Sequence, residues 1–486
     1  MKKYENAFGK NDIRGIYGED ITEELYFNIG LGFVEWLKIQ SNLNPDEMWI
    51  TITKDARLHS DSLEKALIDG ITSKGANVVK LGLAPTPIGY YSEVVGIDKA
   101  YTNGKNITAA AIITASHNPK EYNGLKMTFN KSTLSETQIS EVKELTFKEM
   151  IAKSTLVETN STVNSYDILP VYIEDMKSIF GKIGSGVKVV VDSANATGGV
   201  VGPQLYKELG CEVIELYSEP DGNFPNHHPN PSDEKTLDDL KKVVLENNAD
   251  LGIAFDGDTD RIGVIDASGN FLTGDKLLYI YAQDLIKTSD DALITVVSEV
   301  KCSQVLFDNI NKIGGKAVMC KTGHGYVKSM MRETGAVLAG EMSGHTFFKD
   351  RYHGFDDAVY AGCRIIEIIS KQKKLNPNFK INDMLKPFAE VYSSSEVRYS
   401  CPNHLKKSTL EAYQRKVEEN KDIFGSEILD IITLDGMRIV FDGGFALIRQ
   451  SNTEPVFTLR FEAKDELQCN EFQNSMINSL DEILNK

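Results

Sequence analysis

Cysteine is sparse in this chain of 486 residues, and the six at 211, 302, 320, 363, 401 and 469 contain no CxxC pair and no regular spacing. A disulfide framework is therefore not expected, and reduced thiols serving as small buried hydrophobes are. No uninterrupted apolar run approaches the ~18 residues that a membrane-spanning helix needs. Met1-Lys2-Lys3 is followed by polar residues rather than by the apolar core of a secretory leader. A soluble cytoplasmic protein is expected. Positive charge is also short, with 53 Lys and Arg against 70 Asp and Glu for a net charge of −17, and no local basic patch offsets it. Nucleic acid and anionic membrane are disfavoured as partners. Neither GxxxxGK[ST] nor GxGxxG occurs, so nothing marks a nucleotide site and a kinase is the less attractive reading. Short-period repeats and low-complexity segments are lacking too.

What is present points to a folded multidomain chain. Hydrophobic residues make up 41% and charged ones 25%, the balance of soluble globular proteins. The length calls for three or four domains. Apolar runs alternate with amphipathic segments: Trp49 to Thr53 then Ser60 to Lys74, Val187 to Val191 then Pro203 to Leu209, and Thr236 to Asn247 then Leu251 to Phe255. The rhythm continues through Ala292 to Val297, Lys316 to Met319 and Ala336 to Ala339. Such alternation predicts three similar α/β domains with mixed, mostly parallel sheets. Polar stretches at Lys153 to Ser165, Ala267 to Asn270 and Lys371 to Asn378 separate them. After about Ala389 come closely spaced strands, Ile428 to Leu434, Met437 to Phe441, Phe445 to Arg449 and Val456 to Phe461, which predict a C-terminal α+β domain with an antiparallel sheet. The expected divisions are 1–165, 166–270, 271–388 and 389–486.

Two stretches carry the chemistry. Thr114-Ala115-Ser116-His117-Asn118-Pro119 sets one serine in a polar turn directly after the apolar run Ala109 to Ile113. A hydroxyl there could carry a phosphoryl group, although a lone serine in such a turn is more often a cap. Asp256-Gly257-Asp258-Thr259-Asp260-Arg261 places carboxylates at every second position after the apolar run Leu251 to Phe255. An extended backbone would aim all three the same way, at the carboxyl end of a strand, where open sheets bind ligands. Three oxygens plus a phosphate suit octahedral Mg²⁺. An EF-hand is excluded because Arg261 and Ala267 stand where its glycine and bidentate Glu belong.

These two motifs, with Asn123-Gly124-Leu125-Lys126, resemble the α-D-phosphohexomutases, especially the phosphomannomutase/phosphoglucomutase branch. Gly340-Glu341-Met342-Ser343-Gly344-His345 resembles that family's sugar-selecting loop. Arg449-Gln450-Ser451-Asn452-Thr453-Glu454-Pro455 resembles its phosphate-binding loop. Weaker likenesses at Asp12 to Gly15, Lys54 to Arg57, Phe224 to His228, Lys321 to His324 and Gly354 to Asp357 extend the match over nearly the whole chain. Departures fall at Asn11, at Thr259 and at Ser193 to Ala196, and none removes a ligand.

The resemblance implies four domains around a central cleft, and an enzyme that interconverts hexose 1-phosphate and hexose 6-phosphate of glucose, mannose or both. It further implies a phosphoserine at Ser116 and a hexose 1,6-bisphosphate intermediate. Mg²⁺ would be held by Asp256, Asp258, Asp260 and an oxygen on Ser116, with glucose 1,6-bisphosphate or mannose 1,6-bisphosphate as activator. Lys126, His117 and Arg261 are the expected catalytic partners. Glu341, Ser343, His345 and His324 would contact sugar, and Arg449, Ser451, Asn452, Thr453, Arg14 and Lys321 phosphate. Partners would be hexose phosphates alone, with the protein a monomer or homodimer. A phosphoglucosamine mutase and a phosphoserine-dependent sugar phosphatase are the alternatives, and an inactive sugar-phosphate-binding protein is the non-enzymatic one.

Overall fold

The computed structural model describes residues 2–289, 293–451 and 454–485. The chain divides into two compact units, 1–272 with 344–380 and 273–343 with 381–486. Strands are numbered along the chain.

In the first unit β1 (Ile13–Ile16), β2 (Trp49–Lys54), β3 (Asn77–Leu83), β4 (Ala109–Ile113), β5 (Tyr122–Phe129) and β7 (Val163–Ser165) make one sheet in the order β1-β5-β4-β2-β3-β7, with β6 (Ser132–Thr133) against β5. Its centre reads as predicted, because β4 is buried throughout and runs parallel to β2, as an unbroken apolar strand should. The helices Glu23–Ser41, Ser60–Ser73 and Glu136–Ala152 cover it, and Leu25, Trp36, Leu67 and Val142 pack into the same core as Ile50 and Ala111. Local chemistry sets the helix starts: Thr22 accepts from the Leu25 amide, and Ser135 with Gln138 forms a capping box.

A second sheet has the order β12-β11-β10-β8-β9, from β8 (Lys188–Asp192), β9 (Glu212–Leu216), β10 (Leu251–Phe255), β11 (Ile262–Asp266) and β12 (Phe271–Leu272). Here the expectation of mostly parallel pairing is only half met: β8 runs parallel to β9 and β10, whereas β11 is antiparallel to β10 and β12. The connections explain it, since six residues between β10 and β11 are too few for a crossover and ample for a hairpin. The loop from β4 to β5 is also an antiparallel return. Both predicted chemical motifs therefore sit in hairpin loops at strand ends.

In the second unit β13 (Thr295–Glu299) lies between β14 (Lys316–Cys320) and β15 (Leu338–Gly340), all parallel. The expected strand start at Ala292 lies outside the described residues. The chain then returns to the first unit with β16 (Thr346–Phe348) and the long helix Ala358–Leu375, capped by Asp357. The last segment, in the second unit, holds β17 (Tyr392–Ser393), β18 (Val397–Ser400), β19 (Asp430–Ile432), β20 (Met437–Phe441), β21 (Gly444–Gln450) and β22 (Val456–Ala463) in a sheet ordered β17-β22-β21-β20-β19, with β18 also on β22. Its pairings are antiparallel, as expected for strands joined by short turns. Phe441, Phe461 and Phe472 share its core with Tyr413 of the helix Asn403–Glu419. All six cysteines are free and buried. Among the described residues no helix is long and apolar enough to cross a membrane.

Candidate active site

Ser116 follows β4 by three residues and adopts a left-handed backbone with φ of +50°. That conformation costs a non-glycine residue about 1–2 kcal/mol, so the surroundings must hold it. They do so from both sides. The Ser116 amide donates to Thr114 Oγ1 at 2.9 Å, and Thr114 donates to Asp55 Oδ2 at 2.8 Å. The Ser116 carbonyl accepts from Arg57 Nη2 at 2.9 Å. The hydroxyl, on a residue only 2% exposed, donates to Asp256 Oδ2 at 2.8 Å and lies 3.2 Å from His117 Nδ1. The serine and the acid loop meet directly.

The acid loop is a turn, which corrects the expectation of an extended Asp256–Asp260 segment. Thr259 has φ of +61°, and Asp256 Oδ1 accepts the amides of Asp260 and Arg261, both at 3.1 Å. An extended strand would space alternate carboxylates about 6.5 Å apart along the chain, too far for one small ion. The turn instead brings one oxygen of each Asp within 4.8 Å of the others. Gly257 is required by this approach, because a Cβ there would lie 2.4 Å from the Ser116 carbonyl oxygen.

The cations are arranged around this cluster. Lys126, on β5, donates 2.6 Å bonds to Asp258 Oδ2 and Asp260 Oδ2. Burial opposes its charge, but Asp258 and Asp260 outweigh burial and carry the ammonium well above the usual range. It stays protonated. Burial likewise pushes the Asp256 carboxyl up, helped by Asp260 and Asp258. For Asp260 burial pushes the same way, yet Lys126, His345 and Arg261 together hold it well below the ordinary carboxylate range. Burial, with Arg261 and Arg14, drives His117 well below the usual imidazole value and keeps it neutral. Arg261 Nε lies 3.3 Å from His345 Nε2, which is 3.2 Å from Asp260 Oδ1. Arg14 pairs with Asp12 and donates to Asn118 Oδ1 at 2.8 Å.

These residues fit a hard divalent cation. The donors are all carboxylate oxygens, the residues are buried, and Asp258 Oδ1 has no hydrogen-bond partner among the described residues. Three buried carboxylates this close repel one another unless cations intervene, and Lys126 alone spans only two of them.

The second unit gathers a different set. Glu341, just past β15, accepts the Gly323 amide at 2.7 Å, so the loop that opens the His324–Thr334 helix is tied to it. A Cβ on Gly274 would meet the Glu341 carbonyl oxygen at 2.1 Å, which fixes that backbone from the other side. Ser343 is partly exposed two residues on, and Lys321 is exposed with its ammonium 5.8 Å from the Tyr326 ring. Arg449, at the end of β21, donates through Nε to Asp435 at 2.9 Å, and the same carboxylate accepts the Thr322 amide at 3.1 Å. Ser451 Oγ accepts the Glu454 amide at 3.2 Å, and Lys406 donates to the carbonyls of Ser451 and Glu454. Asn452 and Thr453 lie outside the described residues.

Several members of these clusters were not expected. Thr86 donates to Asp258 Oδ2 at 2.6 Å, and Arg57 belonged only to a weak family likeness with no role assigned. Lys301 lies 3.6 Å from the fully buried Glu299. Burial opposes its charge, Glu299 and Glu396 raise it, and Arg449 and Glu341 are close enough to act on it. Thr86 has its partner far along the chain, whereas Arg57 and Lys301 each follow a carboxylate by two residues, Asp55 and Glu299, and only their further partners are distant.

Successive α/β sheets followed by an antiparallel C-terminal sheet, with a buried serine on an acid triplet, define an α-D-phosphohexomutase architecture. The chain belongs to the phosphoglucomutase/phosphomannomutase family: it matches alpha/beta/alpha domain I over residues 5–153, domain II over 170–269, domain III over 273–387 and the C-terminal domain over 397–479. It is 38% identical to a phosphomannomutase/phosphoglucomutase from Pseudomonas aeruginosa, over 98% of this chain and 95% of that one. A phosphoglucomutase from Neisseria gonorrhoeae is 36% identical over 96% of this chain and 95% of its own length. Among solved structures, a phosphoglucomutase/phosphomannomutase family protein from Burkholderia thailandensis superposes with a TM-score of 0.85 at 32% identity, covering 98% of this chain and 97% of that one.

Proposed function

We propose that this chain interconverts hexose 1-phosphate and hexose 6-phosphate through a phosphorylated Ser116. The observation that carries the reading is the Ser116 hydroxyl bonded to Asp256 at 2.8 Å inside a buried, cation-rimmed acid triplet. Phosphorylated Ser116 gives its phosphoryl group to a free hydroxyl of the bound hexose monophosphate: the bond between phosphorus and the serine oxygen breaks and one to the sugar oxygen forms. The imidazoles of His117 and His345 supply an acceptor for the hydroxyl proton. The resulting bisphosphate turns end for end, and Ser116 recovers a phosphoryl group from the original position.

Lys126, hydrogen-bonded to Asp258 and Asp260 beside Ser116, donates to developing negative charge and is placed to take part in proton transfer. Asp256, Asp258, Asp260 and a phosphate oxygen on Ser116 would hold Mg²⁺, which when bound withdraws charge from the transferring group. In the second unit Arg449 and Ser451, with Asn452 and Thr453, grip the phosphate that is not transferring, and Lys301 adds a cation. Glu341 and Ser343 accept and donate to the O3 and O4 hydroxyls, where glucose and mannose agree. C2 goes unread, so both sugars are substrates.

The test couples intact mass with kinetics. Purified protein incubated with glucose 1,6-bisphosphate should gain one phosphate, on Ser116, and should turn over glucose 1-phosphate and mannose 1-phosphate with kcat/KM values within ~10-fold, since no contact separates them. A preference for glucosamine phosphate by orders of magnitude would refute the sugar assignment. Stoichiometric release of inorganic phosphate from glucose 1-phosphate would replace the mutase with a phosphatase.

A further inference from the structure

We propose that Arg57 is the positioning residue that sets the geometry of the phosphoryl-carrying turn. The inference rests on Ser116 being the phosphoryl carrier and goes beyond it by naming what holds that serine. The Arg57 side chain has no exposure. Its guanidinium directs its donors inward: Nε donates to Asp55 Oδ2 at 3.0 Å, Nη1 to the carbonyls of Pro119 at 2.6 Å and Tyr122 at 3.0 Å, and Nη2 to those of Ser116 at 2.9 Å and Asn118 at 2.7 Å. Four of the five bonds therefore end on the backbone of the 116–122 loop. A planar fork with five fixed donors can hold such a set, and a lysine ammonium with three cannot.

The other end of the pair completes the frame. Asp55 Oδ2 also accepts from Thr114 Oγ1 at 2.8 Å, and that hydroxyl oxygen accepts the Ser116 amide at 2.9 Å. Asp55 Oδ1 accepts from Ser60 Oγ at 2.8 Å and from the Arg57 amide at 3.1 Å. Both backbone polar groups of Ser116 thus trace to one buried ion pair, through Thr114 on one side and Arg57 on the other. The Ser116 carbonyl is also the atom that the acid loop approaches at Gly257. Arg57 therefore sets the distance from Ser116 Oγ to the triplet as well as the left-handed turn itself. The Phe224 ring lies 5.3 Å from the guanidinium carbon and covers one face of the cation. Arg57 touches no reacting atom in this arrangement and acts through Ser116.

The experiment compares Arg57→Lys with the unaltered protein, with folding checked by circular dichroism. The rate of Ser116 phosphorylation by glucose 1,6-bisphosphate is read by intact mass, and kcat and KM for glucose 1-phosphate are read separately. A misplaced reacting group costs about 10²-fold, so the phosphorylation rate and kcat should fall by about that factor while KM moves less than ~3-fold. A residue that merely stabilised the fold would lower the midpoint of unfolding and leave the rate per folded molecule unchanged, which would overturn the proposal. A rise in KM alone would overturn it too. If Arg57→Lys does not fold, Thr114→Val removes the link to the Ser116 amide at nearly constant shape and should slow phosphorylation about 10-fold; an unchanged rate there refutes the frame. Should the unaltered protein take no phosphate on Ser116, the phosphoserine reading falls and this inference falls with it.

Discussion

Two arginines, one in each unit, spend their donors differently. In the first, Arg57 is sealed from solvent and spends its donors on backbone carbonyls and one aspartate. In the second, Arg449 is anchored to Asp435 through Nε, at the end of a strand that runs into the expected phosphate loop. Serine and triplet residues are almost wholly buried; in the second unit Glu341 and Arg449 are buried as well, but Lys321 is exposed and Ser343 and Ser451 partly so. The difference matches the two tasks assigned here. Transfer of a phosphoryl group needs atoms held in fixed positions before the reaction begins, because reorganising dipoles during the step raises the barrier. Gripping a sugar phosphate that must later leave needs donors that face outward.

That contrast can be broken at its strongest point first. Asp258→Asn removes a carboxylate that serves Thr86, Lys126 and the candidate cation site together. Turnover is expected to fall about 10³-fold in a coupled assay, and chelation of the unaltered protein with EDTA should give a comparable loss that Mg²⁺ restores. A smaller effect belongs to the second unit. Glu341→Gln should lower kcat/KM by about 10- to 10²-fold, mainly through KM, while Ser116 still takes up one phosphate from the bisphosphate. Loss of that phosphorylation in the Glu341 variant would erase the division of labour.

The smallest effect concerns scaffold rather than chemistry. Burial pushes the Asp357 carboxyl up to about 6, against hydrogen bonds from Tyr352, the Tyr360 amide and Tyr172. The folded protein then holds this proton more tightly than the unfolded chain does. The stability involved is fully present below about pH 4 and is lost as pH rises through about 6. Asp357→Asn should remove this dependence, so that its urea midpoint gains on that of the unaltered protein between pH 4 and pH 7, by on the order of 2 kcal/mol. A constant difference across that range would mean that Asp357 titrates normally.

Much of this was legible in one dimension. Apolar strands such as Ala109 to Ile113 and Leu251 to Phe255 appeared at their places because fully buried strands need continuous apolar runs. The antiparallel C-terminal sheet followed from turn spacing, and Met437 to Phe441 formed the strand expected of it. Alternation with period two predicts an extended acid loop, and the chain turns there instead. Asp and Gly are turn formers, and their cluster in Asp256-Gly257-Asp258 was a local signal for a turn. Arg57, Thr86 and Lys301 carry roles that local pattern does not show: Arg57 answers backbone carbonyls of another loop, Thr86 a distant carboxylate, and the short spacings Asp55 to Arg57 and Glu299 to Lys301 are common on protein surfaces. The bond from Thr86 to Asp258 spans 172 positions.

Sequence alone determined which chemical groups this protein owns, because hydroxyl, carboxylate and guanidinium are properties of residue type, and it determined the strands that carry them, because burial dictates pattern. Tertiary structure alone decided that the Asp256 carboxylate meets the Ser116 hydroxyl, that Lys126 answers two carboxylates at once, and that Arg57 closes the frame around the turn. Those outcomes depend on distances of about 3 Å between loops far apart along the chain, which only packing of the sheets can fix.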